Sequence, residues 1–396
     1  MSVGTPFHPR TAPLNRKMQW REWSGYFASS VYADFHDIEY NAIREAAALI
    51  DVSPLFKYEV SGRDAERLVD RVITRDAKKL KVGQVFYTPW CDEFGKVIDD
   101  GTVHRLAEDR FRWTAADPQL RWLRQNAIGL DVVIEETTER SASLALQGPL
   151  SRDVLEAAAG ESFTDLRYFR RRGTTIAGIA VDVSRTGYTG DLGYELWVDT
   201  EHAVALWDAL VAAGADYAIR PAGMVALDVV RLEAGLILLE VDYTSARHAM
   251  NAEQAYSPAE IGLGRLVDLD KGPFVGQRAL AAEARAGGPA RRLVGLEVEW
   301  AGIEALHAAQ DLPPTAPAVV SRAPVPVFDG GRQVGRATST GWSPILKKPI
   351  ALASVAPAYE PIGSRLTIEW TVEGRRGRVN ATVVELPFLE LPRKRG

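Results

Sequence analysis

The stretch Ser184–Val198, SRTGYTGDLGYELWV, carries glycines at 187, 190 and 193, a tyrosine at 188 and a carboxylate at Glu195. Glycine at every third position suits a chain that must take positive φ or pass close to a neighbour. The flanks alternate apolar and polar residues, Ile179–Val183 before and Tyr194–Val198 after, as half-buried strands do. A hairpin needs the glycines but not Tyr188 and Glu195. Seven residues apart at its mouth, these two read as a recognition surface or, alternatively, as an ordinary polar rim of a sheet.

Working outward, strands and helices mix without a βαβαβ rhythm, which predicts an α+β fold. Asp37–Ile50 reads as an amphipathic helix with Tyr40, Ile43, Ala47 and Ile50 on one face. YEVSGRDAERLVDRVI predicts a strand, a turn at Gly62 and a helix. Gln84–Trp90 and a strand from Lys96 flank a tight turn at Asp92–Gly95, and RFRWTAAD adds a third strand. A helix over PQLRWLRQNAI would be capped by Asp117, with Pro118 at its first position. Further helices are expected over Glu201–Gly214 and in RPAGMVALDVVRLEAGL. The Ala-, Gly- and Pro-rich segment 281–324 reads as a linker or insertion. Beyond it, hairpins on Asp329–Gly331 and Glu373–Gly374 predict a small antiparallel barrel or sandwich.

At 396 residues with 46% apolar and 25% charged side chains, two or three globular domains are expected. A net charge of -5 argues against a nucleic-acid footprint. The single cysteine, Cys91, excludes a disulfide framework and any cysteine-held cluster, and reads as a buried structural thiol. The six histidines show no metal-binding spacing, so no metal site is expected. No apolar leader and no run of about 18 apolar residues appears, so a cytoplasmic protein with no membrane contact is expected. No phosphate-binding or dinucleotide motif is present.

The pair Asp99–Asp100 lies inside an expected strand, against strand propensity. Neighbours on a strand point to opposite faces, so only one of the two can enter a given cavity. A functional carboxylate and a charge that discourages edge pairing are both open readings.

The segments GQVFYTPWCDEFGKVIDD, SLALQGPLS, SRTGYTGDLGYEL, DVVRLEAGL, DKGPFVGQRAL and SPILKKPIALASV occur in this order from about residue 40 onward. Together they resemble the glycine-cleavage T-protein (aminomethyltransferase) superfamily. The resemblance implies a three-domain cloverleaf around a central folate channel, with a C-terminal antiparallel β-barrel. The expected domains are 1–55 with 140–270 (discontinuous, folate-binding), 56–139 (carrying the Asp-Asp motif) and 285–396 (the barrel). It implies tetrahydrofolate as cofactor and transfer of a methyl or aminomethyl group. The catalytic aspartate falls on Asp100, the folate-lining tyrosines on Tyr87 and Tyr188, the pterin-gripping carboxylate on Glu195, and a further cofactor-binding residue, the arginine of the RLEAGL helix, on Arg231. A carboxylate suits adjacent N–H and NH₂ donors of a pterin.

Four positions depart from the T-protein pattern: Pro54, Gly101, Ala115 and Leu227. They turn the reading toward a small, amine-containing donor rather than glycine cleavage itself. A flavin dehydrogenase subunit is one expected partner, by the DDGTV sequence. A lipoylated carrier belongs to the alternative of a true glycine-cleavage enzyme. A folate-dependent O- or S-demethylase, with a tyrosine, His104 or His248 as acid, and a non-catalytic folate-binding protein are the remaining alternatives. DKGPFVGQ lacks the cysteine of the superfamily's iron–sulfur repair branch.

Overall fold

The computed structural model describes all of residues 1–396. A small N-terminal sheet, β1 (Val3–Gly4), β2 (Trp20–Trp23) and β3 (Tyr26–Ser29), accompanies the short helix α1 (His8–Thr11). Next come α2 (His36–Glu45), β4 (Ala48–Asp51), β5 (Phe56–Ser61) and α3 (Ala65–Val72). The strands β6 (Val85–Cys91), β7 (Val97–Ala107), β8 (Arg110–Ala115) and, after α4 (Leu120–Asn126), β9 (Val133–Glu136) join β5 in a five-stranded antiparallel sheet ordered β6-β7-β8-β5-β9.

A second sheet of six strands follows. It is built from β10 (Ser141–Gln147), β11 (Arg171–Ile176), β12 (Ile179–Ser184), β13 (Gly193–Asp199) and β14 (Arg220–Pro221), and it takes back β4 from upstream. Its order is β11-β12-β13-β10-β4-β14. The helices α5 (Ser151–Ala159) and α6 (Ala203–Ala213) pack on one face through Val154, Leu155, Leu206 and Trp207. α7 (Met224–Glu233) is buried along nearly its whole length, from Val225 to Glu233. It fills the space between β4 and β10 of this sheet and Ile350 and Leu352 of the C-terminal unit. Its apolar residues fill that space, and its three buried charges are each paired: Asp228 with Arg322, Arg231 with Asp242, and Glu233 with Arg44.

After α8 (Gln277–Arg285), β15 (Arg292–Val298) and α9 (Trp300–Ala308), the chain forms β16 (Val325–Asp329), β17 (Arg332–Ser343), β18 (Lys348–Val355), β19 (Arg365–Val372) and β20 (Arg375–Val384). Six strands close antiparallel into a barrel in the order β15-β18-β17-β16-β19-β20. Closure removes free sheet edges, and the barrel interior is aliphatic, with Leu296, Val327, Ala353 and Ile368 fully buried. The α+β reading and the C-terminal barrel are thus correct. No helix is long and apolar enough to cross a membrane.

Three expectations need correction. The helix read over Asp37–Ile50 stops at Glu45, and Ala48–Asp51 is a strand. β4 lies inside the sheet between β10 and β14, so its residues form one apolar run that period alone does not separate from a helix. The segment 281–324 is no plain linker: it holds the end of α8, the barrel strand β15 and α9. Asp117 caps no helix, because α4 begins at Leu120 without a side-chain cap, and the Asp117 backbone N–H is used elsewhere.

Candidate active site

The two larger sheets face each other, and a band of charge fixes their spacing. Arg112 on β8 and Arg171 on β11 both reach Asp182 on β12 at 2.6 Å. His104 on β7 meets the Trp197 ring of β13 edge-on, with centroids 5.6 Å apart. Burial presses the His104 imidazole down to about 3, with Arg112 adding to it, so it remains neutral and is no general acid.

On β7 the two aspartates diverge as strand geometry demands. Asp99 is fully buried, and its carboxylate accepts four donors: the backbone N–H of Asp100 at 2.7 Å, those of Ala116 and Asp117 at 3.0 Å, and Gln119 Nε2 at 3.2 Å. Asp100, on the other face, keeps accessible surface although protein surrounds it. Tyr87 of β6 donates to Asp100 Oδ2 at 2.6 Å, and Tyr243 donates to Oδ1. Burial raises both carboxyls above the ordinary carboxylate range, Asp99 further because of the adjacent Asp100 charge. The tyrosine bonds pull Asp100 back down. Gly101 follows because a Cβ there would stand 2.1 Å from the Thr114 carbonyl oxygen.

The 184–198 stretch is β12, an eight-residue connection over 185–192, and β13, paired Ser184↔Glu195. Its glycines divide the two tasks expected of them. Gly190 has φ +71°, whereas Gly187 and Gly193 make room for Gln147, whose amide oxygen would lie 2.1 and 2.2 Å from their added Cβ atoms. Gln147 also accepts from the Thr189 hydroxyl at 2.7 Å and so pins the connection. Arg185 belongs to the scaffold: it donates to the carbonyls of Leu166 and Gly396.

Glu195 lines the same inter-sheet side as Trp197. Its Oε2 accepts the Thr186 hydroxyl at 2.6 Å, and Oε1 receives no donor from the protein. Burial raises its carboxyl, and Thr186 and Arg112 oppose that shift. Tyr188 donates to the Ile237 carbonyl, and burial lifts its phenol above the ordinary range. Tyr87, Asp100, Tyr188 and Glu195 therefore all combine enclosure with residual accessible surface, which is how residues around an internal space behave.

Arg231 is placed differently. It has no accessible surface, and its guanidinium donates to Asp242 at 2.7 Å and Ser339 at 2.8 Å. It stands behind the wall and ties α7 to the barrel. Ala115 likewise packs into the core of the five-stranded sheet. The sequence reading missed Tyr243. It lies in the irregular segment 236–250, where no period or motif marks a tyrosine as special.

His248 stands between Glu240 at 2.9 Å and Asp117 at 3.5 Å, using Nδ1 for one and Nε2 for the other. One ligand atom from each of the three lies within 4.8 Å of the others, a spacing that exposed acidic groups also show without an ion.

Residues 9–271 match the model of the GCVT N-terminal domain, and residues 291–390 that of the glycine cleavage T-protein C-terminal barrel domain. The chain is 38% identical over 402 residues to a trimethylamine-oxide aldolase of Ruegeria pomeroyi, covering 98% of this chain but 47% of that protein. It therefore spans about half of that relative's length. It is 34% identical over 355 residues to an aminomethyltransferase of Halothermothrix orenii, covering 89% of this chain and 90% of the relative. The crystal structure of glycine cleavage system aminomethyltransferase T from Bartonella henselae aligns with a TM-score of 0.82 and 26% identity, over 98% of this chain and 99% of that one. Aminomethyltransferases of this family use tetrahydrofolate. Matched by both family models in order and along nearly its whole fold, the chain belongs to the glycine-cleavage T-protein family.

Proposed function

We propose that this protein transfers a one-carbon unit from a small methylated or aminomethylated amine to tetrahydrofolate. When bound, tetrahydrofolate supplies the amine nitrogen that receives the carbon. Glu195 supports this reading most directly: an enclosed carboxylate whose Oε1 has no protein donor suits a ligand edge carrying two adjacent N–H groups. Tyr87 and Tyr188 would flank that ligand with flat, partly polar walls.

Asp100 would stabilise positive charge that builds on nitrogen or on the carbon in transfer, and could take the released proton. Such electrostatic stabilisation in a water-poor site is worth about 3 kcal/mol of barrier. Asp99, saturated by four donors, would hold the strand and take no part. The donor is read as an amine because aminomethyltransferases and a trimethylamine-oxide aldolase stand among the relatives.

Calorimetric titration with tetrahydrofolate tests the assignment. The wild type and Asp100→Ala should bind, and Glu195→Ala should lose at least ~10-fold in affinity, since a charge-assisted pair is removed. A wild type that binds no tetrahydrofolate ends this reading.

The second reading, an aminomethyltransferase served by a lipoylated carrier, draws on relatives of that name over nine-tenths of their length. Turnover with free small amines in the absence of any carrier separates the two.

A further inference from the structure

We infer that Tyr243 is a positioning residue for Asp100, holding its carboxylate ionised and oriented from the side opposite Tyr87. This rests on the proposed role of Asp100.

The geometry that carries it begins with what Asp100 lacks. No lysine, arginine or histidine lies within ion-pair distance of its carboxylate. The groups around it are Tyr87 from β6, Tyr243 from the segment after α7, Tyr188 from the 185–192 connection, and the like-charged Asp99 on its own strand. Burial and Asp99 both disfavour a second negative charge here. Two neutral hydroxyls, one on each oxygen, are what favour it. Tyr87 alone would leave Oδ1 bare and the carboxylate free to swing about one bond.

Tyr243 is held too firmly for its contact with Asp100 to be incidental. It is buried to 1% exposure, and the residue before it, Asp242, is saturated. Asp242 accepts from Arg231 at 2.7 Å, the Leu238 N–H at 2.9 Å, Thr338 at 2.6 Å and Ser339 at 2.7 Å. The residues after it return to β7: Ser245 donates to the Ile98 carbonyl at 2.6 Å, and the Ala246 N–H to the Val97 carbonyl at 2.8 Å. The segment thus runs from the α7–barrel junction to the strand that carries Asp100. This gives Arg231 its place as well: it fixes the anchor from which Tyr243 reaches the carboxylate.

The test reads Asp100 in the free protein, by ¹³C NMR of chains labelled at the aspartate carboxyl carbon, with Asp100→Asn to assign the signal. Because Asp99 and Asp100 interact, the midpoint belongs to the pair, and it is compared between variants rather than taken as absolute. In Tyr243→Phe the midpoint should rise by about one pH unit, since a hydrogen bond to the charged form is lost. A 3,5-difluorotyrosine at 243, a stronger donor of nearly the same shape, should lower it; this variant keeps the test usable where the phenylalanine protein folds poorly. With a donor in hand, the acidic limb of the kcat/KM profile should move with the NMR midpoint while tetrahydrofolate affinity stays within about twofold. Midpoints that coincide with wild type in both variants overturn the inference. A protein that binds no tetrahydrofolate overturns the proposed function instead, and leaves this titration readable because it needs no ligand.

Discussion

Asp99 and Asp100 are the same residue on the same strand, one peptide apart, and they meet two different kinds of donor. Asp99 takes three backbone N–H groups and one amide, all held by the fold. Asp100 takes two hydroxyls, each at the end of a side chain, and retains accessible surface. Fixed donors make a joint; rotatable hydroxyls leave a charge that can respond when something enters beside it. The face of the strand, more than the residue type, decides which.

The comparison breaks most sharply on stability. Asp99→Ala strips the acceptor from buried N–H groups that have nowhere else to turn, at a cost of about 4 kcal/mol. Asp100→Ala leaves the buried Tyr243 hydroxyl without its acceptor but also removes a costly buried charge, so it should cost less, about 2 kcal/mol. Urea denaturation of both variants measures this. Equal losses would mean that the two faces are not divided into joint and site.

His104 sharpens the same point from the opposite charge. It shares the face of β7 with Asp100, two residues beyond Thr102, but is fully buried against Trp197 and Arg112. Its imidazole ordinarily titrates near 6.5 and here only at about 3. Between those values the unfolded chain holds a proton that the folded one does not, so stability falls as pH drops. The loss approaches ~1.4 kcal/mol per pH unit well below pH 6.5, or about 2 kcal/mol between pH 7 and pH 5. His104→Gln should flatten that acid slope by about one proton, read from denaturation midpoints at pH 7, 6 and 5. An unchanged slope would show that the imidazole charges in place.

Much of this was legible in the sequence, for physical reasons that can be named. The Asp99–Asp100 split follows from the two-residue period of a strand, and the barrel hairpins from their turn glycines, Gly330 and Gly374, both at positive φ. The glycines of 184–198 announced close packing, though not that Gln147 was the group to be accommodated. β4 was illegible because an enclosed strand and a buried helix share one composition. Tyr243 was illegible because its partner lies 143 residues away and its segment has no repeat. Arg231 stood in a motif, but a motif does not say whether an arginine faces a ligand or a carboxylate behind it.

Asp117 supplies the smallest and most discriminating test, because sequence and structure assign it opposite roles. As a helix cap its side chain would satisfy N–H groups of the first turn, and Asp117→Ala would cost about 1 kcal/mol. In the structure its backbone makes the hydrogen bond, donating to Asp99 at 3.0 Å, and its side chain caps nothing. Its Oδ2 has no hydrogen-bond partner, and burial pushes its carboxyl above the ordinary range. Removing a half-buried charge with one loose histidine contact at 3.5 Å should therefore leave stability within about 0.5 kcal/mol of wild type. A loss near the cap value would return the start of α4 to Asp117 and detach that residue from the Asp99 joint.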